Sequence, residues 1–445
     1  MSPSFIFGLA TSLLVCAISA SALVTRSEDS FYTPPAGWKD KKPGEILRWR
    51  SFQPKFTYVP YRVQEAYQVL YRTIGNTTAQ PSHTVTTILV PYGSKKDVLV
   101  LGSEAQDSNA QKCAPSVGYM TGSAESLGFQ LDETLFLPYM EAGYVLTVPD
   151  HEGPLNAFTA GRMEGHMTLD AIRATLAFKK LKLAKDPKIV GYGYSGGGLN
   201  LGWASSMQPK YAPELNITAW AFGGTPSNLS ATVEHASGQL LSGFLAAGVT
   251  GIVDAYPAVK EYVNTILTDA GREALDFCRH NCLDAIVIRY AFQALNTFKY
   301  TKNGPDAFKA RVVQDAFREL TMGLVENEYP TAPTFMYHAS NDEVVSYPAA
   351  VKTARDWCDM GAQLHFTTYT DSSVDHLVAE LIGGVTAFQF LQDRLAGKSM
   401  AQGCKFDSSA TAQVEPDVLG GTFTSILKQI LTIFGKKIGP GGSTL

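Results

Sequence analysis

Residues 188–200 read KIVGYGYSGGGLN, and the stretch could serve either of two chemistries. As Gly191-x-Gly193-x-x-Gly196 it is the fingerprint that cradles a dinucleotide pyrophosphate. As Gly193-x-Ser195-x-Gly197 it is the elbow that lifts a nucleophilic serine. Both need a tight strand-to-helix turn that a Cβ would obstruct, so the residues around the motif have to separate them. A dinucleotide site needs an acidic residue at the end of the next strand to hold the ribose. The next apolar run, ITAWAFGG, ends in Gly223-Gly224, and the nearest acid, Glu214, lies before it. Several strand-like runs also precede the motif, which usually opens its domain.

A serine hydrolase needs an acid and then a histidine, each in a loop after a strand. TFMYHASNDEVV supplies Asp342 at a strand end, and QLHFTTYTDSSVDHL supplies His376 at the start of a helical pattern. The order Ser…Asp…His is that of α/β-hydrolases. Ser195 Oγ is a weak nucleophile until a base takes its proton. His376 is read as that base, and Asp342 as the group holding its tautomer. The sharp turn aims the N–H of Gly196 at the developing oxyanion. Glu343 and Asp375 are rival acids. His338 falls in or beside a strand and reads as packing. His151, in PDHEG, reads either as lining the site or as structural. His166 before a helix is ambiguous, and His83, His235, His280 and His365 have no evident acid–base setting.

These residues need a sheet to carry them. AYQVLYRTI, HTVTTILVP, DVLVLGSE, GYVLTVPD, KIVGYGYS, ITAWAFGG, PTFMYHAS and QLHFTTYT read as strands, alternating from the middle of the chain with helical patterns such as MTLDAIRATLAFKKLKL. This is an α/β pattern: a mostly parallel central sheet flanked by helices. Roughly a hundred residues separate AFGG from PTFMYH, far too many for a plain connection. Their helical periodicity predicts a cap or lid inserted at about residues 227–331, and Gly243, Gly248 and Gly251 argue against a membrane span in its apolar start. A C-terminal extension is expected from about 400 to 445. Within it SILKQILTIFGKKIG predicts an amphipathic cationic helix that either docks on the body or lies at a lipid surface.

The chain has 445 residues and a formal charge of −4, which gives no electrostatic reason to expect nucleic acid. It opens with an uncharged apolar run ending in Ala20-Ser21-Ala22, which predicts a secretory signal over residues 1–22 and a secreted mature chain with no transmembrane segment. Beyond Cys16 in that segment, five cysteines remain in an oxidising compartment, for which two disulfides and one thiol is the simplest count. Asn76, Asn216 and Asn228 open glycosylation sequons.

The blocks EAQDSNAQKCAPS, PDHEG, GYSGGG, YAPELNI, GGTP and NDEVV…DHL together resemble the fungal secretory lipases, over about residues 50–400. The resemblance implies an α/β-hydrolase fold with a helical cap and hydrolysis of acylglycerol esters. It maps the triad onto Ser195, Asp342 and His376, and the oxyanion hole onto Gly196 and Asp107. An ionised Asp107 carboxylate would repel an oxyanion, so the donor there must be a backbone N–H or a protonated carboxyl. The resemblance pairs Cys113 with Cys282, with Cys358–Cys404 as the second bridge and Cys278 as the odd thiol. The resulting expectation is a secreted triacylglycerol lipase working through an acyl-Ser195 intermediate at a lipid–water interface, as a monomer, with no metal or organic cofactor. A carboxylesterase or acyltransferase on soluble or non-glyceride esters would use the same triad. A non-catalytic surface protein could use the same scaffold.

Overall fold

Runs of β-branched and aromatic residues build a single sheet. The computed structural model describes residues 26, 28–56, 61–76, 80–122, 127–410 and 423–426. The expected signal segment, and all but the first two residues of the expected C-terminal amphipathic helix, lie outside them. The strands are β1 (Ile46–Ser51), β2 (Val63–Ile74), β3 (Pro81–Pro91), β4 (Lys95–Ser103), β5 (Tyr144–Pro149), β6 (Lys188–Tyr194), β7 (Ile217–Gly223), β8 (Thr334–Ala339), β9 (Leu364–Tyr369) and β10 (Cys404–Ser409). Their spatial order is β1-β2-β3-β5-β4-β6-β7-β8-β9-β10. Pairing is antiparallel from β1 through β3 to β5 and parallel from there to β10.

The apolar runs are continuous because both faces are covered. Along β4, Val98 and Val100 point into one core, and Leu99 and Leu101 into the other, as a two-residue period requires. The first core holds α1 (Pro115–Thr121), α2 (Leu127–Glu141) and the last long helix, α12 (His376–Leu395), through Tyr119, Leu135, Phe136, Leu381 and Phe388. The second holds α3 (Gly161–Ala177), α4 (Gly196–Tyr211) and α11 (Tyr347–Asp359) through Leu169, Ile172, Trp203 and Trp357. Each such fully buried large side chain contributes about 1.5–3 kcal/mol over its exposed state.

Between β7 and β8 lie α5 (Leu229–Ala236), α6 (Gly243–Ala255), α7 (Pro257–Ile266), α8 (Asp269–His280), α9 (Leu283–Tyr290) and α10 (Arg311–Glu319). Their apolar faces close on one another and on the body. In α10, Val313, Ala316 and Phe317 are buried at helical spacing while the charged residues face out.

Three features depart from the sequence reading. Helix α3 begins at Gly161, six residues before MTLDAIR, so His166 lies inside it. Glycine hides the start, because a Cβ at Gly161 would lie 2.1 Å from the Trp203 ring. Strand β1 at one edge has mixed, half-exposed residues and no apolar run. Part of the expected C-terminal extension is β10, in parallel register with β9. Its sequence, CKFDSS, carries little strand signal because the strand is largely exposed at the other edge.

Candidate active site

Ser195 follows β6 directly and precedes α4, at φ 52° and ψ −116°. A non-glycine residue there costs on the order of 1–3 kcal/mol and persists only where its surroundings enforce it. Here they do. The Ser195 N–H donates to Gly223 O at 3.0 Å, and its carbonyl accepts from Leu199 N at 2.8 Å. Gly197 must lack a Cβ, which would fall 2.1 Å from Ser103 O. The strand, the turn and the helix leave Oγ facing the loops that follow β8 and β9.

Those loops bring the other two residues to it. His376 opens α12, whose N-cap is Asp375, its side chain accepting from Val378 N at 2.9 Å. The ring lies between two partners: Nε2 is 2.8 Å from Ser195 Oγ, and Nδ1 is 2.7 Å from Asp342 Oδ2. Asp342 Oδ1 accepts the N–H groups of Val344 and Val345 at 2.9 and 2.7 Å. Burial pushes the Asp342 pKa up, but the charges and hydrogen bonds of His376 and His338 outweigh it and hold it well below the usual carboxylate range. Burial presses His376 down, and the Asp342 carboxylate, with Glu343 and Asp107, raises it above its ordinary value of 6.5. The rival acids therefore have other tasks. Glu343 accepts the backbone N–H of His376 at 3.0 Å, and Asp375 caps the helix.

Asp107 lies in the loop after β4, at φ 48°. Its Oδ1 crowds Gly196 so closely that a Cβ there would be 1.9 Å away. Gly196 is the first residue of α4, where backbone N–H groups have no partner within the helix. Asp107 is 2% exposed and its Oδ1 has no hydrogen-bond partner among the described residues. Burial pushes its pKa up to about 7, against the opposing pull of His376 and His151. The Glu152 carboxyl faces the backbone N–H groups of Asp107 and Ser108, although its oxygens make no hydrogen bond of normal geometry. The Asp107 side chain, not its backbone, is thus the group beside Gly196.

Sequence reasoning allowed His151 a structural role and missed the other supports of this loop. His151 is structural: Nε2 donates to Glu104 O at 2.9 Å, and Nδ1 meets Glu164 Oε2 at 3.2 Å. Asp132, on α2, accepts Ala105 N–H at 2.7 Å. Tyr194 donates to His376 O at 2.8 Å. Burial pushes the pKa values of Glu104, Asp132 and Glu380 well above their ordinary carboxyl values, in a layer of acids behind the loop. The one sequence signal was an acid interrupting an apolar helical run, as Asp132 does in GFQLDETLFL. His166 is buried and His83 half-buried, and desolvation presses both pKa values down to about 4. His365 pairs with Asp407 between β9 and β10, far from this chemistry in the fold.

Ser195 opens on a cavity of about 520 Å³ lined by Phe158, Leu229, Phe244, Val249, Ile252 and Phe317 among others. A second space of about 790 Å³ lies within the insertion and shares Val249, Ile252 and Phe317 as walls. The disulfide Cys113–Cys282 ties the stretch after Asp107 to the N-cap of α9. It spans 169 residues, and a loop of that length is worth about 5 kcal/mol in the chain-entropy model. Cys358–Cys404 joins α11 to β10, and Cys278 is a buried thiol. No described helix is long and apolar enough to cross a membrane.

The secretory lipase family model matches residues 120–403. A secreted triacylglycerol lipase of Malassezia furfur is 53% identical over 426 residues, covering 96% of this chain and 87% of that one. One from Malassezia globosa is 40% identical over 447 residues, covering 99% and 97%. The X-ray structure of Candida antarctica lipase A in its closed state superimposes with a TM-score of 0.83 at 28% identity, covering 95% of this chain and 100% of that one. The chain therefore belongs to the secretory lipase family: it is a secreted lipase with the α/β-hydrolase fold.

Proposed function

We propose that the chain hydrolyses triacylglycerols, with Ser195, His376 and Asp342 as catalytic triad. The observation that carries this is the unbroken line of hydrogen bonds from Ser195 Oγ through His376 to Asp342, ending at the mouth of an apolar cavity. Ser195 Oγ attacks the ester carbonyl carbon while its proton passes to His376 Nε2. Asp342 keeps the Nδ1 proton in place and stabilises the imidazolium. The oxyanion takes hydrogen bonds from Gly196 N–H and from the protonated Asp107 carboxyl. The C–O bond to the glycerol oxygen then breaks, and that oxygen takes the proton from His376. Water, deprotonated by His376, attacks the acyl-Ser195 ester and releases the fatty acid. The acyl chain lies along the apolar cavity. A chain too long for it continues into the second space past Val249, Ile252 and Phe317.

Rates on an emulsified long-chain triacylglycerol and on a soluble short-chain ester test the substrate class. The emulsion is expected to be the better substrate, and turnover of the soluble ester alone would make the chain an esterase. Val249→Phe narrows the passage between the two spaces. It is expected to slow long-chain substrates by about tenfold or more while short ones change little, since a pocket discriminates about 10- to 200-fold per methylene. Equal loss on both would show that the passage does not hold the chain.

We further propose that residues 1–22 are removed on export and that Asn216 carries a glycan. Asn216 is exposed. Asn76 Nδ2 already donates to Ala255 O at 3.0 Å, and half-buried Asn228 caps α5. Mass mapping of the secreted protein should find an N-terminus at residue 23, a modified Asn216 peptide and bare Asn76 and Asn228. A glycan on Asn76 would contradict the assignment.

A further inference from the structure

The proposed triad leaves one group beside the Asp342 carboxylate unexplained. Its Oδ2 receives the His376 ring, but also a second imidazole: His338 Nε2 stands 3.0 Å away, on β8 four residues earlier. Both side chains are within about one per cent of complete burial. His338 Nδ1 is buried and has no partner among the described residues, so an N–H there would be unpaired. Nε2 is the ring nitrogen with acceptors in reach: Asp342 Oδ2 at 3.0 Å and the Val345 carbonyl at 3.4 Å. Tyr347 holds the His338 ring from the side, ring centroids 5.9 Å apart.

We propose that His338 is a positioning residue: by donating Nε2–H to Asp342 Oδ2 it fixes the carboxylate in the rotamer that meets His376 and withdraws part of the negative charge His376 feels. The inference rests on the catalytic reading of Ser195, His376 and Asp342. The geometry explains why one donor is not enough. Asp342 sits on a loop, and its Oδ1 is tied by two backbone N–H groups of the same loop, Val344 and Val345. These orient the carboxyl only relative to its own loop. His338 comes from β8, the rigid element from which the loop departs, and so sets Oδ2 relative to the sheet. A third histidine, His235 on α5, donates to the Asp342 backbone carbonyl at 2.8 Å and does not touch the carboxylate.

The sign of the electrostatic effect follows. A carboxylate that gives part of its charge to one N–H stabilises a neighbouring imidazolium less. Removing the His338 donor therefore makes Asp342 a stronger partner for His376 and raises the pKa at which His376 becomes a free base. The other groups facing His376 are Glu343, Asp107 and the Tyr194 ring, with Asp375 as its helix cap; none of them changes in the variants below.

The test uses the full secreted chain and a soluble ester, with active sites counted by a covalent phosphonate so that unfolded protein does not enter kcat. His338→Phe keeps a ring and removes the donor; His338→Gln restores an N–H donor. In His338→Phe, kcat is expected to fall about tenfold with KM little changed, and the acid limb of the pH profile to move up by about half a unit to one unit. His338→Gln is expected to recover most of kcat and return the limb toward the wild-type position. A His338→Phe enzyme with wild-type kcat and limb, whatever its melting temperature, overturns the proposal. So does an equal loss in both variants with an unmoved limb, which would make His338 a packing residue. Wild-type enzyme that the phosphonate fails to label at Ser195 would instead sink the catalytic reading on which the proposal stands.

Discussion

Ser195→Ala is expected to lower kcat on the order of 10⁶-fold, leaving the melting temperature near that of the wild type. The size of the expected loss follows from the proposed triad working as a unit: without Oγ there would be no acyl-enzyme, and His376 and Asp342 would have nothing to activate. What remains comes from oxyanion stabilisation and substrate binding, about 10³ to 10⁴ above water. The fold should survive because the turn is held by backbone contacts to Gly223 and Leu199 and by the close approach of Gly197 to Ser103, none of which uses Oγ. The measurements are turnover of emulsion and soluble ester, phosphonate labelling and thermal unfolding. A variant that keeps activity, or is still labelled at this turn, would overturn the assignment of Ser195.

Asp107 carries the second large effect, and its sign depends on pH. Asp107→Ala removes a proposed oxyanion donor and is expected to cost about 10²- to 10³-fold in kcat. Asp107→Asn keeps a neutral donor, and asparagine tolerates the left-handed backbone that Asp107 adopts at φ 48°. The wild-type carboxyl donates only while protonated. Its pKa, pushed by burial to about 7, makes kcat fall as pH rises through neutrality, because the carboxylate then opposes the oxyanion. On the acid side His376 must lose its proton, and its raised pKa sets that limb. The wild-type profile is therefore a narrow bell whose apparent values belong to the pair. In Asp107→Asn the alkaline limb should disappear while the acid limb stays. An Asp107→Ala enzyme as active as wild type, or an Asp107→Asn enzyme that keeps the alkaline limb, would remove Asp107 from the oxyanion hole.

Much of this was legible in the chain. The nearly continuous apolar runs from residue 97 onward announced strands buried on both faces, and these, with the two strands read before them, are all in the sheet. The Gly-x-Ser-x-Gly turn was legible because a sharp elbow against a neighbouring strand admits only glycine at its flanks. The order of Asp342 and His376 was legible because each lies in or at the end of the loop that follows a strand run, and strand ends are where an α/β sheet presents its loops. These are local consequences of period, turn sterics and chain order.

The rest depended on which surfaces meet. Cys278 and Cys282 stand four apart, a spacing that would share one helix face. But α8 ends at His280, so Cys278 stays in a buried cluster with Ala247, Ile286 and Tyr290 while Cys282 turns away to Cys113. Edge strands β1 and β10 pair on one side only, so their sequences stay mixed and lack the continuous apolar run that marks the central strands. His338 reads as a strand residue to be packed, and it is packed, yet the turn after β8 folds Asp342 back to within 3.0 Å of its ring. Asp107 is marked in sequence only by the family resemblance, and Asp132 not at all. Their raised pKa values come from burial, which is set by every element packed around them and written in no short stretch of the chain. Sequence determined the elements and the groups they carry. Only tertiary structure decided which groups share an environment, because desolvation and charge coupling depend on distances across the fold rather than along it.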